Sequence, residues 1–348
     1  MSKEKKLRVG VVGLGMGRAH IEMYRKVAAC EVVAIADPNR VRLREAGDKY
    51  EIKARYANAE EMFAKAELDA VSIAVPNKFH CPLTLAAVSN GLHVLCEKPM
   101  AMSVAEATRM QAAAAKAKKT LMINFSFRFT NASHALKQQV DAGVIGDIYF
   151  GRTVWHRRRG LPGFGGWFGL KDMSGGGPLI DLGVHRLDLA LWLMGHPEPL
   201  SVSGSTYNVI ARERARREKQ PYTVEDLACG LIKFRNGATL ILEASWALNI
   251  NEPEQMVTAL YGSKGGLVQK NVGGGYEFVA EMYTEEGGNL FTKRLDTACV
   301  PAPSSCQEFI NSIVQNRPPL ATAAQGVQVQ KILEGLYRSA ESGKETVF

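Results

Sequence analysis

The chain has 348 residues, long for one hydrophobic core and enough for two domains. Its 46% hydrophobic and 22% charged residues exclude a disordered or fibrous chain, and no apolar run approaches the ~20 residues of a bilayer span. The net charge of +8 gathers in Arg157–Arg159 and Arg212–Lys219; without aromatic interleaving or a nucleic-acid module, it points to phosphorylated cofactors and acidic substrates and away from nucleic acid.

Met1–Lys6 is basic, but the apolar stretch behind it is short and turns glycine-rich at once. It reads as the approach to a first strand and not as a signal peptide. Leu7–Val12 is strand one and Met16–Val27 a helix. Glu31–Ala36 is strand two, ending in Asp37-Pro38, and Arg40–Tyr50 is helical. Ala70–Val75 is a continuous apolar strand, Phe79–Asn90 a helix stopped by Gly91, Leu92–Cys96 a buried strand, Val104–Lys118 an alanine-rich helix, and Leu121–Asn124 a further strand. Short β-rich runs alternating with amphipathic stretches predict a parallel sheet covered by helices over residues 1–124. The texture then changes. Glycine is dense between Gly160 and Gly183, and β-rich segments follow at Ile148–Trp155, Leu200–Val209, Asp226–Arg235, Ala238–Leu248 and Met256–Tyr261. Asn236-Gly237 marks a hairpin. Residues 125–348 are therefore expected to form an α+β domain with an open, mainly antiparallel sheet, closing on a helix over Ala323–Ser342. Cysteines 30, 81, 96, 229, 299 and 306 make no CxxC pair and have no zinc-ligand spacing. A reducing, cytoplasmic setting without a structural metal is expected.

Gly13, Gly15 and Gly17 join strand one to helix one. Gly13 permits a tight turn, Gly15 lets backbone approach a pyrophosphate, and the helix N-terminus beyond Met16 offers free N–H groups. In GxGxxG the third glycine would fall at Arg18, so this loop is one residue tighter. Asp37, at the end of strand two, is placed to accept an adenine-ribose diol, which favours NAD; Arg40 and Arg42 keep NADP open.

Two further segments carry chemistry. Cys96-Glu97-Lys98-Pro99 ends a parallel strand, on the edge where doubly wound sheets bind ligands. Lys98 there can donate a charged hydrogen bond to a substrate oxygen, or lie in a plain surface turn. Gly175-Gly176-Gly177 opens a helical stretch with Asp181 and His185 stacked four apart. A carboxylate beside an imidazole suits general acid/base work, with Asp188 also in reach of His185; a helix cap and a core histidine are the plainer alternative.

These residues, with His20, Pro76-Asn77 and His80, the Ala259–Gly265 run and the Ser339–Gly343 tail, resemble the Gfo/Idh/MocA family, in order over nearly the whole chain. The resemblance implies an N-terminal Rossmann doubly wound parallel sheet of α/β class and a C-terminal domain whose open sheet face supports a homodimer or homotetramer. It implies that Lys98, Asp181 and His185 surround the reacting carbon of a sugar, cyclitol or related polyol or keto compound. It implies also that Pro76 and Asn77 border the nicotinamide side, that His80 approaches a ribose, and that Glu97 belongs with the cofactor residues. Arg158 and Trp167 lie in a stretch that family members use near substrate, and Arg128 sits at the domain junction. The implied activity is hydride transfer between NAD(P) and a CH–OH group. The alternatives are NAD-assisted glycoside cleavage without net hydride change and, with less support, a dinucleotide-binding protein without catalysis.

Overall fold

A computed structural model describes residues 6–348; the basic N-terminal run lies, apart from Lys6, outside the described residues. The chain divides into two compact units. The first holds the residues up to Asn124 together with Pro303–Gln330, and the second holds Phe125–Ala302 with Lys331–Phe348.

In the first unit strands and helices alternate: β1 (Leu7–Val12), α1 (Gly17–Tyr24), β2 (Cys30–Ala36), α2 (Arg40–Lys49), β3 (Ala54–Tyr56), α3 (Ala59–Lys65), β4 (Ala70–Ile73), α4 (His80–Ser89), β5 (His93–Glu97), α5 (Val104–Lys116) and β6 (Leu121–Asn124). All six strands pair in parallel, in the order β3-β2-β1-β4-β5-β6. Every residue of β4 and β6 is buried, as expected of strands covered on both faces. The strand order reverses between β1 and β4, which opens a crevice beyond their C-terminal ends. Side chains that prefer caps set the helix starts: Asn39 accepts from Val41 and Arg42, Asn58 from Glu61, and Ser103 from Glu106. The three-residue β3 and seven-residue α3 are additions to the sequence reading, too short to show a period.

The second unit is built on a nine-stranded sheet. Its elements are α6 (Asn131–Asp141), β7 (Ile148–Arg157), α7 (Lys171–Ser174), a π-helical turn at Leu179–Gly183, α8 (Val184–Leu193), β8 (Pro199–Tyr207), α9 (Ile210–Glu218), β9 (Leu227–Phe234), β10 (Thr239–Ser245), β11 (Glu254–Gly262), β12 (Gly265–Asn271), β13 (Phe278–Glu286) and β14 (Asn289–Arg294). The order is β14-β13-β12-β11-β7-β10-β9-β8-β15, where β15 is Thr346–Val347; β7 and β10 form the one parallel pair. The expected Asn236-Gly237 turn joins β9 to β10, with Gly237 at φ +87°. Helices α6 and α8 pack on one face of the sheet. In β9, buried Ala228, Gly230, Ile232 and Phe234 alternate with more exposed residues. On the opposite face Phe150 and Tyr261 stack, and Tyr283 stays partly exposed.

Two helices complete the chain: α10 (Ser305–Val314) and α11 (Ala323–Ser342), the latter where the sequence places it. The reading by sequence assigns everything after residue 124 to the second domain, whereas Pro303–Gln330 clusters with the first unit. The cause is local: Ile123 N–H donates to Ala321 O at 3.1 Å, Met122 bridges to Thr322, and Cys306 is buried beside His20.

Candidate active site

The glycine loop is shaped by three separate constraints. Gly13 has φ +85°, and a Cβ there would lie 2.2 Å from Ala74 O. Gly17 opens α1, and a Cβ on it would lie 2.8 Å from Val11 Cγ1. Gly15 has no atom within 4 Å of the Cβ it lacks, so its backbone faces open space. Gly17 N–H donates to Gly13 O at 3.1 Å, which closes the loop one residue early. Met16 stands at the head of α1 with 61% exposure, and the first turn of α1 carries no acidic residue. An exposed, glycine-bared helix N-terminus with no acidic residue in its first turn is the surface a diphosphate needs.

Asp37 follows β2 and is buried. Its Oδ2 accepts Leu14 N–H and its Oδ1 accepts Asn39 N–H, both at 2.7 Å. The carboxylate expected to receive a ribose is thus also the anchor of the glycine loop. Arg40 and Arg42 are exposed on the first turn of α2. Pro76 and Asn77 follow β4 on the same edge, with Asn77 buried.

His80 departs from the expectation of a ribose contact. It is fully buried, with Nδ1 at 2.7 Å from Pro99 O and Nε2 at 2.9 Å from Val75 O, so both ring nitrogens face backbone carbonyls. Burial pulls its pKa down, against the pull of those carbonyls. It is a strut between the ends of β4 and β5.

Glu97 is held by three protein donors. Its Oε1 accepts from His20 Nε2 (2.8 Å) and Asn124 Nδ2 (2.5 Å), and its Oε2 accepts Lys98 N–H (3.2 Å). With Nε2 donating, His20 Nδ1 is left to accept from Ser72 Oγ at 3.1 Å, and Tyr24 Oη lies 2.8 Å from the same hydroxyl. Burial by itself would raise Glu97, but the donors from His20 and Asn124 prevail and hold the carboxyl below its ordinary range. This network fixes the peptide that carries Lys98, whose bond to Pro99 is cis.

In the second unit the glycine run has a mechanical explanation. Gly175 caps α7 at φ +82°. A Cβ on Gly176 would lie 2.0 Å from Tyr337 Oη, and one on Gly177 2.2 Å from Glu225 O. Glu225, which the sequence reading does not single out, clamps the segment from below. Its carboxylate accepts Gly177 N–H (2.9 Å), Leu179 N–H (3.1 Å) and Tyr337 O–H (2.8 Å). Burial pushes its pKa up against those donors. Its only sequence signal is a carboxylate next to Asp226 at the head of an apolar strand.

The continuous α-helix expected through Asp181 and His185 begins instead as the π-helical turn, with α8 starting at Val184. Such turns recur where a side chain must be re-aimed. Asp181 Oδ2 accepts the indole N–H of Trp246 at 3.0 Å. The His185 ring lies edge-on to Phe127 (centroids 4.9 Å apart) and tilted against Trp155 (5.5 Å).

Arg128 is corrected from substrate residue to buried ion pair. It is 0% exposed, and its Nε and Nη2 bond both oxygens of Asp188 at 2.8 and 2.6 Å. Both oxygens of Asp188 thereby accept from Arg128, a partner that the sequence does not announce. Arg158 is exposed and reaches Asn251 O at 3.4 Å, and half-buried Trp167 stacks on Phe168 at 3.8 Å.

Residues 7–125 match the family model described as "Oxidoreductase family, NAD-binding Rossmann fold", and residues 133–268 match the "GFO/IDH/MocA C-terminal domain". The chain is 35% identical to the D-glucoside 3-dehydrogenase of Escherichia coli (strain K12), over 97% of this chain and 96% of that protein. Among solved structures, an oxidoreductase domain protein from Kribbella flavida superposes with a TM-score of 0.87 at 25% identity, covering 99% of both chains. GenD2 from gentamicin A biosynthesis, solved in complex with NAD, gives a TM-score of 0.82 at 25% identity, covering 100% of this chain and 98% of its own.

Proposed function

The chain belongs to the Gfo/Idh/MocA oxidoreductases, and on that premise we propose that it oxidises a secondary hydroxyl of a sugar or cyclitol, or reduces the matching ketone. The observation that carries this reading is the His185 ring packed against Phe127 and Trp155, four residues after an Asp181 oriented by Trp246. Hydroxyl oxidation needs such a base and such a hydroxyl-binding carboxylate. The 35% relative makes a glucoside the first substrate to try.

The roles follow from the chemistry of each group. His185 takes the hydroxyl proton. Lys98, on the peptide held by Glu97, donates to the same oxygen as charge develops on it. Asp181 binds a neighbouring hydroxyl. Bound NAD supplies the hydride acceptor. The loop Gly13–Gly17 holds its diphosphate, Asp37 and Arg40 lie on its adenosine side, and Pro76 and Asn77 on its nicotinamide side. The Asp37 carboxylate favours NAD over NADP, because it repels a 2′-phosphate. Arg158 and Trp167 remain candidates for the outer part of the substrate. The open sheet face, with Phe150, Tyr261 and Tyr283, is the surface through which a homodimer or homotetramer forms. Four buried cysteines out of six suit a reducing, cytoplasmic setting.

A panel of hexoses, methyl glucosides, cyclitols and their keto forms, offered with NAD and with NADP and read at 340 nm, tests the proposal. Reduction of NAD by at least one neutral sugar is expected. Silence across the panel, from protein that binds NAD, contradicts it.

A further inference from the structure

Of the three consecutive arginines, the structure sets Arg157 apart. It lies on β7 two residues beyond Trp155, with a side chain 25% exposed. Its Nε donates to Glu254 Oε1 at 2.7 Å and its Nη2 to Tyr276 Oη at 3.0 Å. Trp155 Nε1 donates to the same Glu254 oxygen at 2.6 Å, so one carboxylate ties the indole beside His185 to the guanidinium. Arg159 instead holds Asn249 and nearby carbonyls on the exposed side, as Arg158 holds Asn251 O.

A guanidinium near a sugar can fork onto a carboxylate or donate singly to hydroxyls, and its charge balance decides which. Glu254 is in contact with Arg157, and Asp181 adds to the negative field on it. The second cation is Arg186, fully buried with its guanidinium 4.4 Å over the Phe127 ring and 5.6 Å over Trp155. Burial pulls Arg186 down to about 9, so it is still charged at neutral pH. Two cations, Arg157 and Arg186, therefore stand against two anions, Glu254 and Asp181. At this cluster, with Lys98 committed to the reacting oxygen in the functional reading, an incoming carboxylate meets no excess positive charge and two acids, whereas a hydroxyl meets an N–H donor already fixed by Glu254 and Tyr276.

We propose that the Arg157–Glu254 pair is a specificity determinant of the substrate site, selecting neutral sugars over their carboxylate counterparts. This rests on the functional reading given above. Glu254→Gln keeps an acceptor oxygen for Trp155 and Arg157 and removes one negative charge, so it tests charge and not shape.

The probes are methyl β-D-glucopyranoside and methyl β-D-glucopyranosiduronate, which differ only at carbon 6. Each is titrated by calorimetry into NAD-saturated protein, and turnover is read at 340 nm. Wild type should prefer the neutral glycoside. E254Q should move the affinity ratio towards the uronate by about tenfold or more, the scale of one unpaired charge in a partly desolvated site. Arg157→Gln should weaken the neutral glycoside about tenfold, by loss of a charged donor. An E254Q ratio within about threefold of wild type, in protein that binds NAD normally, overturns the inference. An R157Q variant with unchanged affinity for the neutral glycoside, or a wild type that prefers the uronate, overturns it too, and each leaves the functional reading standing. A wild type that takes neither glycoside nor any other sugar overturns both.

Discussion

Replacing Arg128 with Met removes a guanidinium that holds both oxygens of an Asp188 carboxylate only 1% exposed. The variant keeps the volume but leaves a buried charge without its cation, a change worth about 3–5 kcal/mol. Rings stacked near the guanidinium, Phe125 at 5.4 Å and Trp192 at 5.9 Å, add smaller losses of about 0.5–1 kcal/mol each. Without its partner Asp188 can relieve the loss only by taking a proton, and burial already pushes it that way. Its folded-state pKa then stands above the unfolded value, so the variant is least handicapped at low pH and loses stability as pH rises through that folded pKa. Removing both charges, as Arg128→Met with Asp188→Leu, should recover most of the loss. All four tryptophans lie in the second unit, so fluorescence during urea unfolding follows that unit, while NAD affinity follows the first. The expected result is an early fluorescence transition with NAD affinity unchanged. An Arg128→Met protein within about 0.5 kcal/mol of wild type, below the usual effect of losing a buried ion-pair partner, but with a raised KM, would refute the structural assignment and return Arg128 to the substrate.

Three further perturbations test the rest. Asp37→Ala strips Leu14 and Asn39 amides of their acceptor, about 1–3 kcal/mol each, and should weaken NAD at least about tenfold in calorimetry; an unchanged NAD affinity would show that the loop needs no anchor. Gly177→Ala drives a methyl against Glu225 O, an overpacking of about 1–3 kcal/mol, and should lower both melting temperature and kcat; wild-type values for both would refute the clamp. Burial, with Lys119 nearby, pulls His93 down to about 4, and its Nδ1 accepts Thr120 N–H at 3.0 Å. The unfolded imidazole titrates near 6.5, so stability is fully present above that value and is lost as pH falls towards 4, by about 2 kcal/mol after allowing for partial solvent exposure. His93→Gln should flatten that limb of a melting curve taken against pH, and an unchanged slope counts against the assignment.

The first unit was largely legible because its signals are local. A strand, a glycine turn and a helix follow one another in the chain, and an apolar run such as Ala70–Ile73 announces a strand buried on both faces. The second unit was legible as a class but not in detail. Strands β12 to β14 carry glycine turns and polar outward residues, and β14 is exposed along its whole length, so no apolar period betrays it. Of the residues proposed for catalysis, Lys98, Asp181 and His185 stand in short motifs that can be seen in one dimension. Glu225 reaches Gly177 from 48 positions along the chain, Trp246 reaches Asp181 from 65, and Glu254 reaches Trp155 from 99, so only the fold reveals the partnership. Arg128 and His80 misled for a related reason. A polar residue beside a motif reads as ligand-facing, and the sequence does not show that a buried partner, Asp188 or a pair of carbonyls, already holds it.

The most direct measurement follows the hydride itself. The sugar identified by the panel, deuterated at its ring carbons, is incubated with NAD, and the nicotinamide is read by proton NMR. Wild-type protein should place one deuterium on carbon 4 of NADH, and a folded His185→Ala protein that binds NAD normally should slow that transfer by about 10²-fold or more. Sugar that is cleaved with no deuterium in NADH, or a His185→Ala variant that transfers it at the wild-type rate, would contradict the assignment.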